Sequence, residues 1–436
     1  MQGKGTEALL GAMEKFSRMV YVARRFSYQK LYDTLEPIFQ EHGWREAERR
    51  GCENILVISL DQAGDNVIMS AFVRELRRNF PKARIAMLVR SYLADLWKLC
   101  PYINELLVFE PGLEENALDF LQRATALCRE KLWPLYFDRC YMPKWGDEKG
   151  EFRTLAYLSG AGKRIGYSNR NYEVYVPGLQ NDSGGEELLT EHLVSPPELL
   201  HEVERLLYML QYEGFKCPET RTECWLGTGD IISAREMLAP LSFAGGEQKL
   251  LALGIGAGDR GRCYPVAQYL EALQELRKDG WQAVVVGGPG EHEEGAWLAS
   301  ESAGRIIDLT GQTSLRELAA VISLCDLYLG NDTGAMHMAA AMKVPIVAVF
   351  REALSCDGWY EGRIRGIVSE YARCHPWQAE NICLRPREPM GECAQEVWYG
   401  FCKHKEKPHC ITQVDAGDVV AAVRELWKKH GDKTLR

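Results

Sequence analysis

One pattern occurs twice along this chain: apolar runs that read as buried strands, each followed by an amphipathic stretch that reads as a helix. The first series gives strands at Ile55–Leu60, Arg84–Val89, Leu106–Phe109 and Leu135–Phe137, with helices at Val67–Arg78, Tyr92–Leu99 and Leu118–Lys131. The second gives strands at Lys249–Gly254, Ala283–Gly287, Arg305–Asp308, Cys325–Leu329 and Val344–Phe350. Between them lie helices at Val266–Asp279, Glu293–Ser302, Ser314–Ile322 and Met336–Met342. Such alternation predicts a parallel sheet covered by helices on both faces. Two of them in tandem predict an α/β chain with two doubly wound domains facing a cleft. Ligands of such sheets sit outside the carboxyl ends of the strands.

The rest of the chain falls around these two series. Residues 1–50 read as a helical extension, with Leu9, Leu10, Met13, Phe16 and Met19 at helical spacing and a second amphipathic stretch from Tyr28 to Gln40. Glu187–Phe215 reads as one or two helices leaving the first domain, and Ala416–Lys429 as a closing helix. The expected division is 1–50, 51–220 and 221–436, the last including a cysteine-rich segment, 374–410.

Bulk properties narrow the function. A net charge of −9 without a basic stripe argues against nucleic acid as the main partner. No apolar run reaches the roughly 20 residues of a membrane span, and the first residues lack the apolar core of a signal peptide. A soluble, cytoplasmic protein with reduced thiols is expected. Cys100, Cys128 and Cys325 then read as core residues. Arg24, Arg25, Arg45, Arg49 and Arg50 are interspersed with Glu, which favours a solvated face and leaves peripheral membrane contact open.

The chemistry gathers at the ends of predicted strands. Gly330-Asn331-Asp332-Thr333-Gly334-Ala335-Met336-His337 joins a strand to a small-residue helix. Such a turn presents free backbone N–H groups and the positive end of a helix dipole, which suits a nucleotide diphosphate; a plain cap by Asp332 or Thr333 is the competing reading. Gly254-Ile255-Gly256-Ala257-Gly258-Asp259-Arg260-Gly261-Arg262 also follows a strand. It is neither a G-x-G-x-x-G nor a P-loop, because Pro265 intervenes before the helix. Arg262 or Arg260 can clamp a diphosphate there, or stand as an exposed loop arginine. Glu291, after Gly287-Gly288-Pro289-Gly290, can accept from ribose hydroxyls or sit in a helix's first turn. Gly311 to Thr313 suit a nucleotide wall or an ordinary cap. In the first series, Asp65 follows Gly64 at a helix start and is either a cap or a general base. Lys163, Arg164 and Arg170 read as a solvated basic loop more than as an anionic acceptor site.

Two longer stretches carry a resemblance. Ile55–Arg90 (ILVISLDQAGDNVIMSAFVRELRRNFPKARIAMLVR) and Asp308–Phe350 (DLTGQTSLRELAAVISLCDLYLGNDTGAMHMAAAMKVPIVAVF) resemble glycosyltransferase family 9, the ADP-heptose heptosyltransferases, as does GKRIGY at Gly162–Tyr167. The resemblance spans roughly residues 54–430. It implies a GT-B architecture of two Rossmann-like domains and an inverting, metal-independent sugar transfer from a nucleotide-diphospho-sugar, ADP-heptose foremost. By the same match Asp65 becomes the base that activates the acceptor hydroxyl. Glu291, Gly311, Thr313, Asp332, Thr333, Gly334, Met336 and His337 become donor-site residues. Arg262-Cys263-Tyr264-Pro265 departs from the family's lysine before a Trp-Pro pair, and the arginine keeps a diphosphate-binding charge. The helical N-terminus also departs, which leaves acceptor selection or self-association as its roles.

Cys374, Cys383, Cys393, Cys402 and Cys410 fall in one segment that reads as irregular, with His375, His404 and His409 among them. Their spacing is not a paired C-x-x-C set, so free thiols in a satellite core and a structural iron or zinc both stay open. Family relatives that glycosylate autotransporter proteins resemble this, holding iron with cysteines near the C-terminus. The acceptor is accordingly expected to be a glycolipid (a lipopolysaccharide core sugar) or a protein hydroxyl. A sugar-nucleotide epimerase of the same architecture and a non-catalytic sugar-nucleotide or metal-binding scaffold are the alternatives.

Overall fold

A computed structural model describes residues 2–23, 26–41, 52–112, 116–144, 150–171, 184–196, 201–241, 249–258, 260–302, 304–351, 379–386 and 411–430. The chain forms two compact units. One consists mainly of Met1–Gln62 and Met69–Thr220, the other mainly of Ala63–Ile68, Arg221–Arg363 and the C-terminal part of the chain.

The first sheet contains β1 (Asn54–Ser59), β2 (Arg84–Val89), β3 (Glu105–Val108), β4 (Arg139–Met142), β5 (Lys163–Tyr167) and β6 (Glu191–Leu193). Its order is β3-β2-β1-β4-β5-β6, and every pair is parallel. All six residues of β1 are buried, as expected of a strand covered on both faces. Helices α1 (Gln2–Ala23) and α2 (Tyr28–Glu41) share the core of this unit. Leu9, Met13, Phe16, Leu31, Leu35 and Phe39 pack in one cluster with Leu56 and Ile58 of β1 and with Phe120 of α5 (Ala117–Leu127). Burial on that scale stabilises by about 1.5–3 kcal/mol per large side chain, so the N-terminal helices are structural parts of the unit.

Three local expectations are corrected here. Leu135–Phe137 is not a strand. Trp133–Leu135 is a 3-10 turn whose indole donates to Leu158 O at 2.8 Å, and Tyr136 closes it with a left-handed φ of 49°. The strand therefore starts later, at Arg139. Glu187–Phe215 is only partly helical. Thr190 receives the Arg164 N–H at 2.7 Å and leads into the short edge strand β6, before His201 caps α7 (Glu202–Tyr212). Arg164 is no solvated loop residue. It is buried on β5, donating to Leu188 O at 2.6 Å and Ala161 O at 2.8 Å.

Between α3 (Ala63–Asn79) and α5 lies the short α4 (Ala94–Trp97), and α6 (Glu151–Leu158) precedes β5. The second unit adds α8 (Thr228–Leu238) and a sheet of β7 (Lys249–Gly254), β8 (Trp281–Val286), β9 (Ile306–Asp308), β10 (Leu327–Asn331), β11 (Ile346–Val349) and β12 (Asn381–Leu384). Its order, β12-β11-β10-β7-β8-β9, is again all parallel. Renumbered from its first strand, this is the same 3-2-1-4-5-6 arrangement as the first sheet. Helices α9 (Val266–Leu276), α10 (His292–Ser300), α11 (Leu315–Ser323), α12 (Gly334–Ala341) and α13 (Ala416–His430) complete it. Strand β12 corrects the expectation of an irregular cysteine segment at Cys383 alone, which pairs in register with Ala348 of β11; the segment's other four cysteines lie outside the described residues.

Candidate active site

In the second sheet the direction of strand order reverses between β7 and β10, so the loops leaving their carboxyl ends diverge and leave a crevice. Four loops emerge on this edge. After β7 come Ile255, Gly256 and the 3-10 turn Arg260–Arg262. After β8 come Gly287, Gly288 and the turn Pro289–Glu291. Thr310, Gly311 and Thr313 follow β9, and Asp332 and Thr333 link β10 to α12. The nine expected donor-site residues, from Arg262 to His337, all lie on these loops or in α12.

Asn331 ends β10 and sits at the switch point. Its side chain is fully buried. Nδ2 donates to Ile255 O at 2.6 Å and Gly256 O at 3.3 Å; Oδ1 accepts from the Tyr264 N–H at 3.0 Å and the Tyr269 hydroxyl at 2.9 Å. Tyr264 is also tied down, its hydroxyl donating to Val414 O at 2.8 Å. These residues were not among the expected site residues. The signal available was a lone amide closing an apolar strand, and its partners lie far away in sequence.

Arg262 Nη1 lies 3.4 Å from Asp332 Oδ2. Both groups are partly exposed, so the pair is worth little as stability. Its consequence is positional: the guanidinium stands beside the start of α12. Thr333 is the N-cap residue in extended conformation, and its side chain makes no capping bond. The first N–H groups of a helix lack intrahelical partners, so this end carries positive character. Met336 and His337 are buried just behind it. Burial lowers the His337 pKa, Arg262 lowers it further and Asp332 opposes both, so the ring is neutral at neutral pH.

Glu291 rests against glycine backbone. A Cβ on Gly256 would come within 2.6 Å of Glu291 Cδ, and one on Gly287 within 3.1 Å of its Oε2. The carboxylate therefore lies over the β7 and β8 loops, where bare backbone makes room for it. Gly311 takes a φ of 68°, and its N–H donates to Gly287 O at 3.0 Å, which docks the β9 loop on the β8 loop. Thr313 follows on that loop, half-buried.

Asp65 lies in the first turn of α3, half-buried, where a helix start favours an ionised carboxylate. Of the five cysteines considered as metal ligands, Cys374, Cys393, Cys402 and Cys410 lie outside the described residues. Cys383 is described, and burial pushes its thiol up to about 12, with Arg385 opposing. It is a protonated thiol at neutral pH. Among the described residues no group of three or more His, Cys, Asp or Glu is gathered for a metal ion. Among them, too, no helix is long and apolar enough to cross a membrane.

Comparison with known proteins agrees with this architecture. The profile of glycosyltransferase family 9 (heptosyltransferase) matches residues 167–355. Lipopolysaccharide heptosyltransferase 2 of Salmonella typhimurium is 23% identical over 306 residues, covering 68% of this chain and 82% of that protein. The crystal structure of the family 9 glycosyl transferase of Veillonella parvula superposes with a TM-score of 0.66 at 19% identity, over 86% of this chain and 97% of that one. E. coli ADP-heptose LPS heptosyltransferase II gives 0.60 at 17% identity, over 87% and 99%. The two parallel doubly wound sheets have the GT-B fold that these structures share. The likeness to glycosyltransferase family 9 lies in residues 167–355, and the chain is a glycosyltransferase enzyme.

Proposed function

We propose that this enzyme transfers a heptose, or a related sugar, from a nucleotide-diphospho-sugar to an acceptor hydroxyl with inversion at the anomeric carbon. ADP-heptose is the first donor to test, because E. coli ADP-heptose LPS heptosyltransferase II shares the fold. The acceptor hydroxyl belongs to a lipopolysaccharide core sugar or to a protein. The observation that carries the reading is Arg262, held beside the N-terminus of α12 through Asp332. A cation and a helix start together suit a departing diphosphate.

In this reading the acceptor oxygen attacks the anomeric carbon, and the bond from that carbon to the diphosphate oxygen breaks. Asp65 takes the acceptor proton, and the nucleoside diphosphate leaves with the bonding electrons. Arg262 and the α12 N–H groups stabilise the charge that develops on it. Glu291 accepts from the ribose hydroxyls. Gly311 and Thr313 form a wall of the nucleoside site, and Asp332, Thr333, Gly334, Met336 and His337 form the sugar-diphosphate side. A structural iron or zinc on Cys374, Cys383, Cys393, Cys402 and Cys410 belongs to the same proposal. Elemental analysis of the purified protein checks it, and protein without stoichiometric metal would sink it.

The test of the transferase reading is a calorimetric panel of ADP, UDP, GDP, CDP and dTDP, followed by a transfer assay with Asp65→Asn. ADP is expected to bind best, with Arg262→Ala weakening it by about tenfold or more, as charge-assisted hydrogen bonds imply. Asp65→Asn is expected to keep ADP affinity and lose transfer. Preference for another base would move the donor away from ADP-heptose. Binding of none would overturn the reading.

A further inference from the structure

We infer that Asn331 is a positioning residue for the diphosphate subsite, holding the Arg262 turn at a set distance from the N-terminus of α12. The inference rests on the donor reading above and goes beyond it, since Asn331 itself need not touch the donor. The amide has two N–H donors and two acceptor lone pairs on its oxygen. All four are used: Ile255 O, Gly256 O, the Tyr264 N–H and the Tyr269 hydroxyl. The two carbonyl partners lie at the root of the β7 loop that carries Arg262. The two donors lie at Tyr264, two residues after Arg262, and in α9. The Arg260–Arg262 turn is thus held from both ends by one side chain. Asn331 directly precedes Asp332, which pairs with Arg262 and leads into α12.

No other residue type of this size makes the same set. Leucine would leave two carbonyls, an N–H and a hydroxyl buried without partners, and each such group costs about 1–3 kcal/mol. Aspartate accepts only, so its carboxylate would face two carbonyl oxygens at contact distance. Asn331 is fully buried, which keeps water from substituting for these bonds. The same side chain therefore carries two burdens, local stability and the placement of the arginine, and the experiment must separate them.

The experiment compares Asn331→Ala and Tyr269→Phe with the unmodified protein by calorimetry, using ADP and adenosine as probes, with thermal unfolding as a check on folding. Tyr269→Phe removes one of the four bonds and guards against a non-folding Asn331 variant. A positioning role predicts that Asn331→Ala raises the ADP Kd by about tenfold, and Tyr269→Phe by about two- to fivefold, with adenosine affinity changed less than about twofold. In an Arg262→Ala background the Asn331 effect on ADP should shrink to less than about twofold, because the residue acts through the arginine. Equal losses for ADP and adenosine, or additive effects with Arg262→Ala, would reduce Asn331 to a structural residue. An unchanged ADP Kd in both variants would overturn the inference while leaving the donor reading intact. Failure of the unmodified protein to bind ADP would overturn the donor reading, and the inference with it.

Discussion

The Tyr269 hydroxyl donates to Asn331 Oδ1 at 2.9 Å, with both side chains completely removed from solvent. Burial raises the pKa of this phenol well above its ordinary value, so it stays a donor across the working pH range. Tyr328, on the same strand as Asn331, is equally buried, yet its hydroxyl has no hydrogen-bond partner among the described residues. The two phenols therefore answer differently to the same change. Tyr269→Phe should lose about 1 kcal/mol of unfolding free energy, whereas Tyr328→Phe should be within about 0.5 kcal/mol of neutral or stabilising. Urea unfolding of both variants decides this, and a larger loss from Tyr328→Phe would contradict it.

Tyr328 also explains a glycine. A Cβ on Gly254 would meet the Tyr328 hydroxyl at 2.1 Å and its Cζ at 2.8 Å. Gly254→Ala should destabilise by about 1–3 kcal/mol, the usual range for overpacking. Adding Tyr328→Phe should recover part of that loss, since it removes the nearest atom. The double mutant should thus be more stable than Gly254→Ala alone. Additive behaviour would show that the tyrosine is not what excludes a side chain at this position.

Gly256 tests the ribose assignment without threatening the fold. Its missing Cβ is filled by the end of the Glu291 side chain, at 2.6 Å from Cδ, and a flexible side chain can move away. Gly256→Ala should therefore leave the melting temperature close to that of the parent while raising the Kd for both ADP and adenosine by about three- to tenfold. Unchanged adenosine binding would separate Glu291 from the nucleoside site.

His337 predicts the direction of a pH effect. Its folded pKa is lowered below the ordinary 6.5, chiefly by burial. As pH falls through 6.5 the unfolded chain takes up the proton before the folded one does, so stability drops. The loss continues until the lowered folded value is reached and then levels off. His337→Gln should flatten the dependence of the urea midpoint on pH between about 7.5 and 5.5, where an ordinary histidine titrates. An identical slope in parent and variant would assign the acid sensitivity to other groups.

The strand series was readable because burial on both faces leaves near-continuous apolar runs, as in β1 and β8. Arg84–Val89 and Lys249–Gly254 appear with the expected ends. The misreadings fell where non-local contacts overrode a local pattern. Trp133–Leu135 is apolar like a strand but is bent into a turn that sends its indole to Leu158. Lys163 and Arg164 look like a solvated basic pair, yet Arg164 lies on β5, between β4 and β6, with its charge bonded to buried carbonyls. β6 was missed because three residues on a sheet edge leave almost no periodic signal.

By itself, the sequence determined the α/β class, the tandem repetition, the positions of most strands and the loops that carry Arg262, Glu291, Gly311 and Asp332. These follow from periodicity and from glycine-bearing turns, which depend on neighbouring residues alone. The tertiary structure alone decided the shared strand order of the two sheets and the residue whose side chain is bonded on both sides of the Arg260–Arg262 turn. Asn331 and Ile255 are 76 residues apart and meet only because β10 pairs with β7. Their bond depends on how strands order themselves in a sheet, which local periodicity does not encode.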